Sequence, residues 1–570
     1  MKQLSGMDAV FLYMESEATP MHVAGLTLYD PPEGFTGSFH THFTEFFKGR
    51  LHLIPIFNKK LARTVMQLDH PGWVDVDDVD LDYHIQSLHL PKPGTFQQLQ
   101  EAVAKLHENR LDRKKPLWQF TIIEGLEDGR YAMYSKVHHA AIDGGAGMVI
   151  TQALYDLGPV PRQVEPPKPK VTKRKPTVGE RAVLGMHDMA TNVVRQQLRF
   201  AEAVPKTMAQ MADLAVAAMK RPGSVGLVSL LAPKTPFNST ITKERSFAAR
   251  SISLMDVKMI SKATGAKVND IVMAISGGAL RAYLDGKRKL PDAPLVAFVP
   301  ISLREAGNTD LNNQVFGMNC ALATNYGDPL KRLSVIQRES GQTKDVAGSV
   351  KDIAPQDYTM VGAPLVLPGL MELYGQARLA DVMPHVVNLT ISNTAGPPFP
   401  MYCAGAKVAA LYPVSIPVHG VGLNITVQSY RDKMDFGITA GTAALPDVDH
   451  FADLLVASFE ELKAAALPAV EETKTPPSAV ENPAKSPAES QAKAPAKENA
   501  KPAATKPATT KPRAKTSAKA TKAPKTDESA NGAVKTTISR RASSKPKTAP
   551  KTSTKTRAKV SVKAKTPPTQ

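Results

Sequence analysis

The last hundred residues of the chain cannot form a folded core, and this limits where folded domains can lie. From about residue 467 the sequence repeats Lys, Ala, Pro, Thr and Ser, and residues 471–570 contain no aromatic side chain. Such a composition cannot bury enough apolar surface to offset the entropy of ordering the chain. We therefore predict a disordered tail over residues 467–570, which leaves the preceding residues for two or three folded units.

The net charge of +18 is concentrated in this tail. Residues 471–570 hold 23 Lys and Arg against 7 Asp and Glu, so they carry +16 and the first 470 residues carry only +2. Dispersed lysines can contact nucleic-acid phosphates, or an anionic lipid surface at about 1 kcal/mol per charge. Without aromatic residues the tail offers no base stacking. Three interpretations of the tail follow: it binds a lipid surface, it binds a nucleic acid, or it has no partner.

Two features of the remaining sequence indicate where the protein works. The two cysteines, Cys320 and Cys403, exclude a disulfide framework and a thiolate zinc cluster. The first 22 residues contain acidic residues where a signal peptide has its apolar core, and no run of 18 uncharged apolar residues occurs. We therefore expect a cytoplasmic protein without a membrane-spanning helix.

Hydrophobic patterns divide the chain before the tail into three parts. Residues 1–160 are predicted to form a mixed α/β domain, and residues 236–466 a second α/β unit. Between them, residues 161–235 begin with a Pro- and Lys-rich linker and continue with amphipathic spacing, which predicts a helical crossover.

Individual elements follow from apolar spacing and turn residues. In the first domain the patterns predict a strand, a helix and a hairpin whose turn is Glu127-Asp128-Gly129. The predicted elements of that domain are Val23 to Tyr29, Phe96 to Leu111, Trp118 to Glu124 and Arg130 to His138. The predicted elements of the second unit are a helix over Val268 to Leu284 and strands over Leu295 to Ile301, Gln314 to Ala323, Leu389 to Asn393, Leu423 to Tyr430 and Lys433 to Thr439.

The sharpest local feature is the run Val137-His138-His139-Ala140-Ala141-Ile142-Asp143-Gly144-Gly145. It lies between the end of a predicted strand and a predicted helix over Met148 to Leu157, where open α/β sheets commonly place reactive side chains. Because consecutive strand residues point to opposite faces, one of His138 and His139 should face the core and the other a cleft.

The paired histidines have three interpretations: a metal site, a structural role and a catalytic role. Zinc usually recruits histidines four residues apart on a helix, so adjacent histidines on a strand suit a metal poorly. A buried histidine satisfied by backbone is the structural alternative, but the whole pattern favours a functional role. A neutral imidazole, His139, can take the proton of an alcohol that attacks a thioester and then protonate the departing thiolate. Asp143 either pairs with His139 or holds the turn before Gly144, and the second role is favoured.

Seven further motifs occur in order along residues 1–465, and together they resemble those of the bacterial wax ester synthase/diacylglycerol acyltransferase (WS/DGAT) family. That family belongs to the coenzyme A-dependent acyltransferases with a His-His-x-x-x-Asp-Gly motif, which include chloramphenicol acetyltransferase and condensation domains. The motifs are Leu4-Ser5-Gly6-Met7-Asp8-Ala9-Val10-Phe11-Leu12 with Pro20-Met21-His22, Pro116-Leu117-Trp118, Ala232-Pro233-Lys234-Thr235-Pro236-Phe237-Asn238, Val268-Asn269-Asp270, Val299-Pro300-Ile301-Ser302-Leu303-Arg304, Leu423-Asn424-Ile425-Thr426 and Asp435-Phe436-Gly437. Ser392-Asn393-Thr394-Ala395-Gly396-Pro397 departs slightly from the family's usual Val-Pro-Gly-Pro after Ser-Asn.

The resemblance implies roles for particular residues. His139 matches the general base, His138 its supporting neighbour, and Asp143 an aspartate that supports the architecture. Arg304 is a candidate partner for Asp143, because a bidentate arginine–carboxylate contact would brace the loop. Gly144 completes the motif.

The Asn269-Asp270 pair and Pro116-Leu117-Trp118 have structural as well as functional interpretations. Asn269 and Asp270 begin the predicted long helix, where Asn and Asp act as N-caps, and a capped helix end near a cleft can also orient substrate. For Pro116-Leu117-Trp118, plain core packing is favoured.

The resemblance also implies a fold and a reaction. It predicts two chloramphenicol-acetyltransferase-like domains, each a mixed sheet with helices. The reaction would transfer a fatty acyl group from acyl-CoA to diacylglycerol or to a long-chain alcohol, with acyl-CoA as a substrate and without a cofactor or metal. Water-insoluble products favour an anionic membrane or lipid-inclusion surface over nucleic acid as the tail's partner, and a peripheral position at the inner membrane or lipid inclusions. The rivals are a condensation-type enzyme acting on a carrier-bound amine and an inactive lipid-droplet or nucleoid coat protein.

Overall fold

The computed structural model describes most of the chain before the tail. The described residues are 2–62, 70–142, 144–167, 231–302, 315–350 and 363–467, and all belong to one compact unit, Met1–Lys474. The predicted crossover lies mostly outside these ranges, and so does the predicted tail. Asp143 and Arg304 also lie outside them.

This unit contains both strands and helices, interspersed along the chain. The strands are β1 Lys2–Gln3, β2 His22–Asp30, β3 Lys59–Ala62, β4 Gly72–Asp75, β5 Ile85–His89, β6 Trp118–Glu124, β7 Tyr131–His138, β8 Arg245–Ser253, β9 Val296–Ser302, β10 Val315–Ala321, β11 Leu389–Thr394, β12 Tyr402–Cys403, β13 Ala406–Val414, β14 Leu423–Tyr430 and β15 Lys433–Gly441. The helices are α1 Gly6–Met14, α2 Phe39–Lys48, α3 Leu81–His84, α4 Phe96–His107, α5 Gly144–Leu154, α6 Leu254–Thr264, α7 Val268–Gly286, α8 Pro329–Val350, α9 Ala363–Gln376 and α10 Val448–Ala466.

The first large sheet has the strand order β12-β13-β2-β7-β6-β5. The predicted hairpin is confirmed, because β6 and β7 pair antiparallel around a turn in which Gly129 has a φ of 76°. On one face, α2 presents Phe39, Phe43 and Phe47 at four-residue spacing to a buried aromatic cluster with Trp118. Strands β12 and β13 come from the second half of the chain and extend this sheet by pairing β13 with β2. A small separate sheet has the order β1-β4-β3.

The second large sheet has the order β10-β9-β11-β14-β15-β8 and mixes parallel and antiparallel pairs. The long helix α7 packs with α6, α8 and α10 in the core of this half. Two adjacent glycines let α7 approach its neighbours closely. A Cβ on Gly277 would lie 2.5 Å from the carbonyl oxygen of Leu322, and one on Gly278 would lie 2.1 Å from Oγ of Ser458.

The Asp435-Phe436-Gly437 motif lies where the two large sheets meet. A Cβ on Gly437 would lie 1.7 Å from the carbonyl oxygen of Pro413 in β13, so only glycine allows this contact. The buried carboxylate of Asp435 accepts hydrogen bonds from the backbone N–H of Leu411 at 2.9 Å and from the hydroxyl of Ser251 at 2.6 Å. Burial raises the pKa of Asp435. The motif therefore joins the two sheets.

The sequence-based elements agree with the structure to within a few residues. The strand predicted over Val23 to Tyr29 is β2, and the long helix predicted from Val268 is α7. The helix predicted after the paired histidines begins earlier than expected, at Gly144, and ends at Leu154. The predicted fold class, a mixed α/β chain with two large sheets, is confirmed.

Candidate functional site

The opening motif of the chain builds α1, the helix that covers the paired histidines. Ser5 is the N-cap, and its hydroxyl accepts a hydrogen bond from the backbone N–H of Asp8 at 3.1 Å. The helix packs against the short 3₁₀ turn His139–Ala141 that follows β7. Phe11 and Glu15 of this segment both face the histidines.

Backbone hydrogen bonds from both sides fix the end of β7. His138 pairs with His22 of β2 in register, and its N–H donates to the carbonyl of Leu117 at 3.0 Å. The N–H of His139 donates to the carbonyl of Met21 at 2.8 Å. The motifs around Met21 and Leu117 therefore hold the histidine turn through their backbones.

The side chain of His138 is fully buried and its tautomer follows from its contacts. Its Nδ1 accepts a hydrogen bond from the N–H of Ala140 at 3.0 Å, so the ring proton belongs on Nε2. Nε2 lies 3.5 Å from Oε1 of Glu15. The expectation that one histidine faces the core is confirmed for His138.

Glu15 is a buried carboxylate that sequence reasoning missed. Its Oε2 accepts a 2.7 Å hydrogen bond from Nε of Arg113, whose Nη2 also donates to the carbonyl of Leu12 at 2.6 Å. Burial alone would raise the pKa of Glu15, but hydrogen bonding and charge from His138 and Arg113 lower it below its usual value. The result is an ionised carboxylate linking Arg113 to His138. No local sequence signal distinguishes it from the nearby Glu17.

His139 has a different environment from its neighbour. The residue is half-buried, and its ring stacks on the ring of Phe11, with centroids 3.8 Å apart and planes 14° apart. Its Nδ1 is buried and has no partner in another of the described residues. Burial lowers the pKa of His139 to about 4, a contact with its own backbone opposes this, and the charge of His138 lowers it further. The ring is therefore neutral at pH 7, and Nε2 is the nitrogen left to meet a ligand.

A second layer of buried polar side chains lies behind His138. Nε2 of His22 lies 3.0 Å from the carbonyl oxygen of His107, and Nδ1 of His107 lies 2.7 Å from the hydroxyl oxygen of Tyr134. Lys136 donates to two backbone carbonyls, and burial lowers its pKa to about 8. Burial, followed by the charges of His107 and Lys136, lowers the pKa of His22 well below its usual value. The histidines of this layer are therefore neutral.

The described residues do not gather a metal site around these histidines or elsewhere. Within those ranges no group of three His, Cys, Asp or Glu side chains has a geometry suited to a metal ion. The arrangement offers instead one neutral imidazole in a half-buried residue, whose ring stacks on Phe11 and whose backbone N–H is bonded to the carbonyl of Met21. Such a group can accept and return a proton.

Comparison with known proteins identifies the family. A profile described as "Wax ester synthase/diacylglycerol acyltransferase catalytic domain" matches residues 4–272, and one described as "WS/DGAT C-terminal domain" matches residues 311–463. The chain belongs to the WS/DGAT family. It is therefore an acyl-CoA-dependent O-acyltransferase of that family's type.

Similar WS/DGAT proteins match nearly their whole length. A probable diacylglycerol O-acyltransferase, tgs2 of Mycobacterium tuberculosis, is 34% identical over 80% of this chain and 98% of its own. O-acyltransferase WSD of Acinetobacter baylyi is 34% identical over 78% and 93%. The solved structure of the wax ester synthase/diacylglycerol acyltransferase from Marinobacter aquaeolei VT8 matches with a TM-score of 0.58 and 29% identity, over 82% of this chain and all of that one.

Two WS/DGAT motifs lie within hydrogen-bonded structure. Asn269 accepts a 2.7 Å hydrogen bond from the side-chain amide of Asn393, which joins the Asn-Asp motif to the Ser-Asn segment. The buried carboxylate of Asp270 accepts the N–H of Lys267 at 3.0 Å and the hydroxyl of Ser340 at 2.8 Å. The N-cap position is Lys267, so Asp270 lies in the first turn of α7 rather than at the cap.

The Pro-Leu-Trp motif is part of the core. Trp118 is buried, stacks on Phe57 with centroids 4.6 Å apart, and donates its indole N–H to the carbonyl of Phe57 at 3.0 Å. The packing interpretation therefore describes Leu117 and Trp118 well, and the carbonyl of Leu117 adds support for the backbone of His138.

Three residues of the WS/DGAT motif set remain predictions. Asp143 and Arg304 lie outside the described residues, so their pairing is not addressed by the structure. Gly144 is the first residue of α5, directly after that gap.

Substituting Glu15 is expected to slow the WS/DGAT reaction without unfolding the protein. Glu15→Gln keeps the shape but removes the charge that faces Nε2 of His138, so the turn carrying His139 should lose its fixed position. Because small misplacements of reacting groups are expensive, kcat should fall by about 10- to 100-fold while KM for acyl-CoA changes little. Steady-state kinetics would check this.

The matched control for this experiment is Glu17→Gln, since Glu17 is exposed two residues further along the same segment. It should leave kcat unchanged. A purely structural role for Glu15 predicts a lower melting temperature with unchanged kcat for the folded fraction, and that result would contradict the positioning role.

Proposed function

We propose that the chain transfers a fatty acyl group from acyl-CoA to the free hydroxyl of diacylglycerol, with long-chain alcohols as second acceptors. The products are triacylglycerol and wax esters, respectively. The single observation that carries the mechanism is the neutral ring of His139, a half-buried residue that directly follows β7. The choice of acceptors follows the names of similar proteins, a diacylglycerol O-acyltransferase and a wax ester synthase/diacylglycerol acyltransferase.

The proposed reaction is a direct transfer without an acyl-enzyme. Nε2 of His139 takes the proton of the acceptor hydroxyl as its oxygen attacks the thioester carbonyl. The new ester C–O bond forms and the C–S bond breaks, so the sulfur of coenzyme A leaves as a thiolate. The imidazolium then returns its proton to that sulfur, which releases the free thiol and restores the neutral ring.

The other site residues are proposed to position this group. His138, held between Ala140 and Glu15, supports the turn from inside. Asp143 braced by Arg304 would secure the same loop from its other side, and Gly144 would let α5 begin directly after it. Asn269 and Asp270 would contribute by fixing the start of α7, with residues 1–160 and 236–466 as the two acyltransferase domains.

The neutral state of His139 supports its role as a base. An imidazole with a pKa of about 4 is almost wholly unprotonated at pH 7, so every molecule starts in the form that accepts a proton. The low pKa makes the imidazolium a better proton donor to the departing sulfur than an ordinary histidine, and makes the neutral ring a weaker base in the first step.

The proposal is tested by supplying radiolabelled acyl-CoA with one of three acceptors: diacylglycerol, hexadecanol, or an aminoacyl thioester with a free amine. Labelled triacylglycerol, with wax ester in the parallel reaction, is the expected outcome. Exclusive labelling of the amine would replace the proposal with a condensation-type reaction. No labelled product from any acceptor, with a folded protein, would indicate an inactive coat protein.

A further inference from the structure

Helix α9 carries an apolar face that the described chain leaves uncovered. Val366, Leu370 and Leu373 follow the four- and three-residue spacing of one helix face, and their exposed fractions are 57%, 49% and 56%. The opposite side of α9 packs on the protein, where Leu367 joins the core of the first sheet. The helix is therefore apolar on both its packed and its exposed side, and the exposed apolar side has no cover within the described residues.

The apolar surface continues past the end of α9. Seven of the sixteen large apolar side chains that are exposed in the described ranges fall within residues 366–386. We call this set the α9 patch, and its members are Val366, Leu370, Leu373, Leu379, Val382, Met383 and Val386. Single exposed apolar residues are ordinary, but such a concentration within 21 residues of sequence is typical of an interaction surface.

A basic cleft adjoins the α9 patch. It has a volume of about 530 Å³ and its charged lining residues are Lys234, Lys289, Arg378 and Asp381. The three cations are exposed, and Asp381 is the one acidic residue among the lining. The carboxylate of Asp381 is already bonded by Nε of Arg378 and by the backbone N–H of Thr240. The cleft therefore presents a net positive charge next to Leu379 and Val382, the patch residues that follow Arg378 and Asp381 in sequence.

The buried side of α9 leads towards the candidate site. It packs against α1, the helix whose Phe11 stacks on His139. It also approaches His419 so closely that a Cβ on Gly375 would lie 2.6 Å from Nε2 of that ring. A lipid surface bound to α9 would therefore lie next to α1, the helix that packs against the histidine turn.

We propose that the α9 patch and its basic cleft dock the protein on an anionic phospholipid surface. Apolar side chains that enter the boundary between headgroups and acyl chains, next to cations that contact headgroup phosphates, are the chemistry of interfacial helices. The cations favour this occupant over a second copy of the chain, because two copies would bring their positive clefts together. If the chain has the proposed function, the docked surface also supplies its lipid substrate.

The test measures binding of the full-length chain to phosphatidylcholine vesicles with and without phosphatidylglycerol, by flotation and without substrate. The variant Leu370→Glu/Leu373→Glu places negative charge in the α9 patch. The control Met255→Glu/Met259→Glu changes two exposed apolar residues at four-residue spacing on α6. All proteins carry the same basic tail, and raised salt screens its contribution.

The patch variant should bind anionic vesicles about tenfold or more weakly at raised salt, while the α6 control binds as the wild type does. Lys289→Gln should weaken binding to anionic vesicles and leave binding to neutral vesicles unchanged. Equal binding by wild type and patch variant would overturn the proposal, as would equal losses in the patch variant and the control. A lower melting temperature of the patch variant alone would show that another part of this chain covers the patch, which also overturns it. Because no turnover is measured, a failure here leaves the proposed reaction untouched.

Discussion

Replacing His139 with alanine is expected to lower kcat for acyl transfer by about 10²- to 10⁴-fold, the usual contribution of a positioned general base. The ring stacks on Phe11, and the backbone hydrogen bond to Met21 does not depend on the side chain, so the substitution should leave the fold intact. Steady-state rates with labelled acyl-CoA would measure the effect. The control is His450→Ala, which removes an exposed histidine from α10 and should leave kcat unchanged. A folded His139→Ala protein with wild-type kcat would show that another group takes the proton.

The wild-type pH profile tests the same role from another direction. Because the pKa of His139 is about 4, kcat/KM should stay level from pH 8 to about pH 5 and fall only as the ring gains a proton below that. An acid limb near the ordinary histidine pKa of about 6.5 would contradict the buried environment.

Acid also affects the stability of the protein, so circular dichroism must accompany that profile. Burial lowers the pKa of His84 to about 4 and that of His107 to about 3. Both are neutral in the folded chain but bind a proton near pH 6.5 when unfolded. The free energy of unfolding should therefore decrease as pH falls from about 6.5 through these folded-state values.

The largest expected change in stability comes from Arg50. Its guanidinium forms an ion pair with Asp156 at 2.8 Å and donates to the carbonyl of Ala153 at 3.2 Å, and both charged side chains are at most 4% exposed. Removing one partner of a buried pair typically costs 3–5 kcal/mol, so Arg50→Ala should lower the free energy of unfolding by about 3 kcal/mol. The value lies at the lower end because Arg162 also contacts Asp156. Urea unfolding would measure it.

A surface pair provides the control for that experiment. Arg130 and Asp128 are paired on the β6–β7 turn with side chains 33% and 41% exposed. Arg130→Ala should change the free energy of unfolding by about 0–1 kcal/mol, since exposed ion pairs contribute little. Equal effects of the two substitutions would mean that the Arg50 pair gains nothing from its burial.

Local sequence patterns predicted the elements whose signals lie within a short window. The Asp128-Gly129 turn, the apolar spacing of α7 and the strand that ends at His138 each depend on neighbouring residues, and each was found. Strand alternation predicted different environments for His138 and His139, and the two do differ, although β7 ends at His138 and His139 already belongs to the 3₁₀ turn.

Contacts between distant segments could not be predicted in this way. Glu15 reaches His138 across more than a hundred residues of sequence, and no local pattern distinguishes it from the exposed Glu17. In the same way, the helix α9 is apolar enough to suggest core packing, and only the folded chain shows which of its sides is uncovered. The contact of Glu15 with the exposed Arg113, like these, depends on tertiary structure.

The pairing of β13 with β2 sets an order for biosynthesis. Strand β2 has left the ribosome almost four hundred residues before Ala406–Val414, its neighbour in the finished sheet, is made. Until then one edge of β2 has unpaired N–H and C=O groups, which can recruit a strand from another nascent chain. Fragments that end before residue 414 should therefore self-associate. Such a long closure also favours slow folding, because the entropy of joining distant segments is lost before their contacts form.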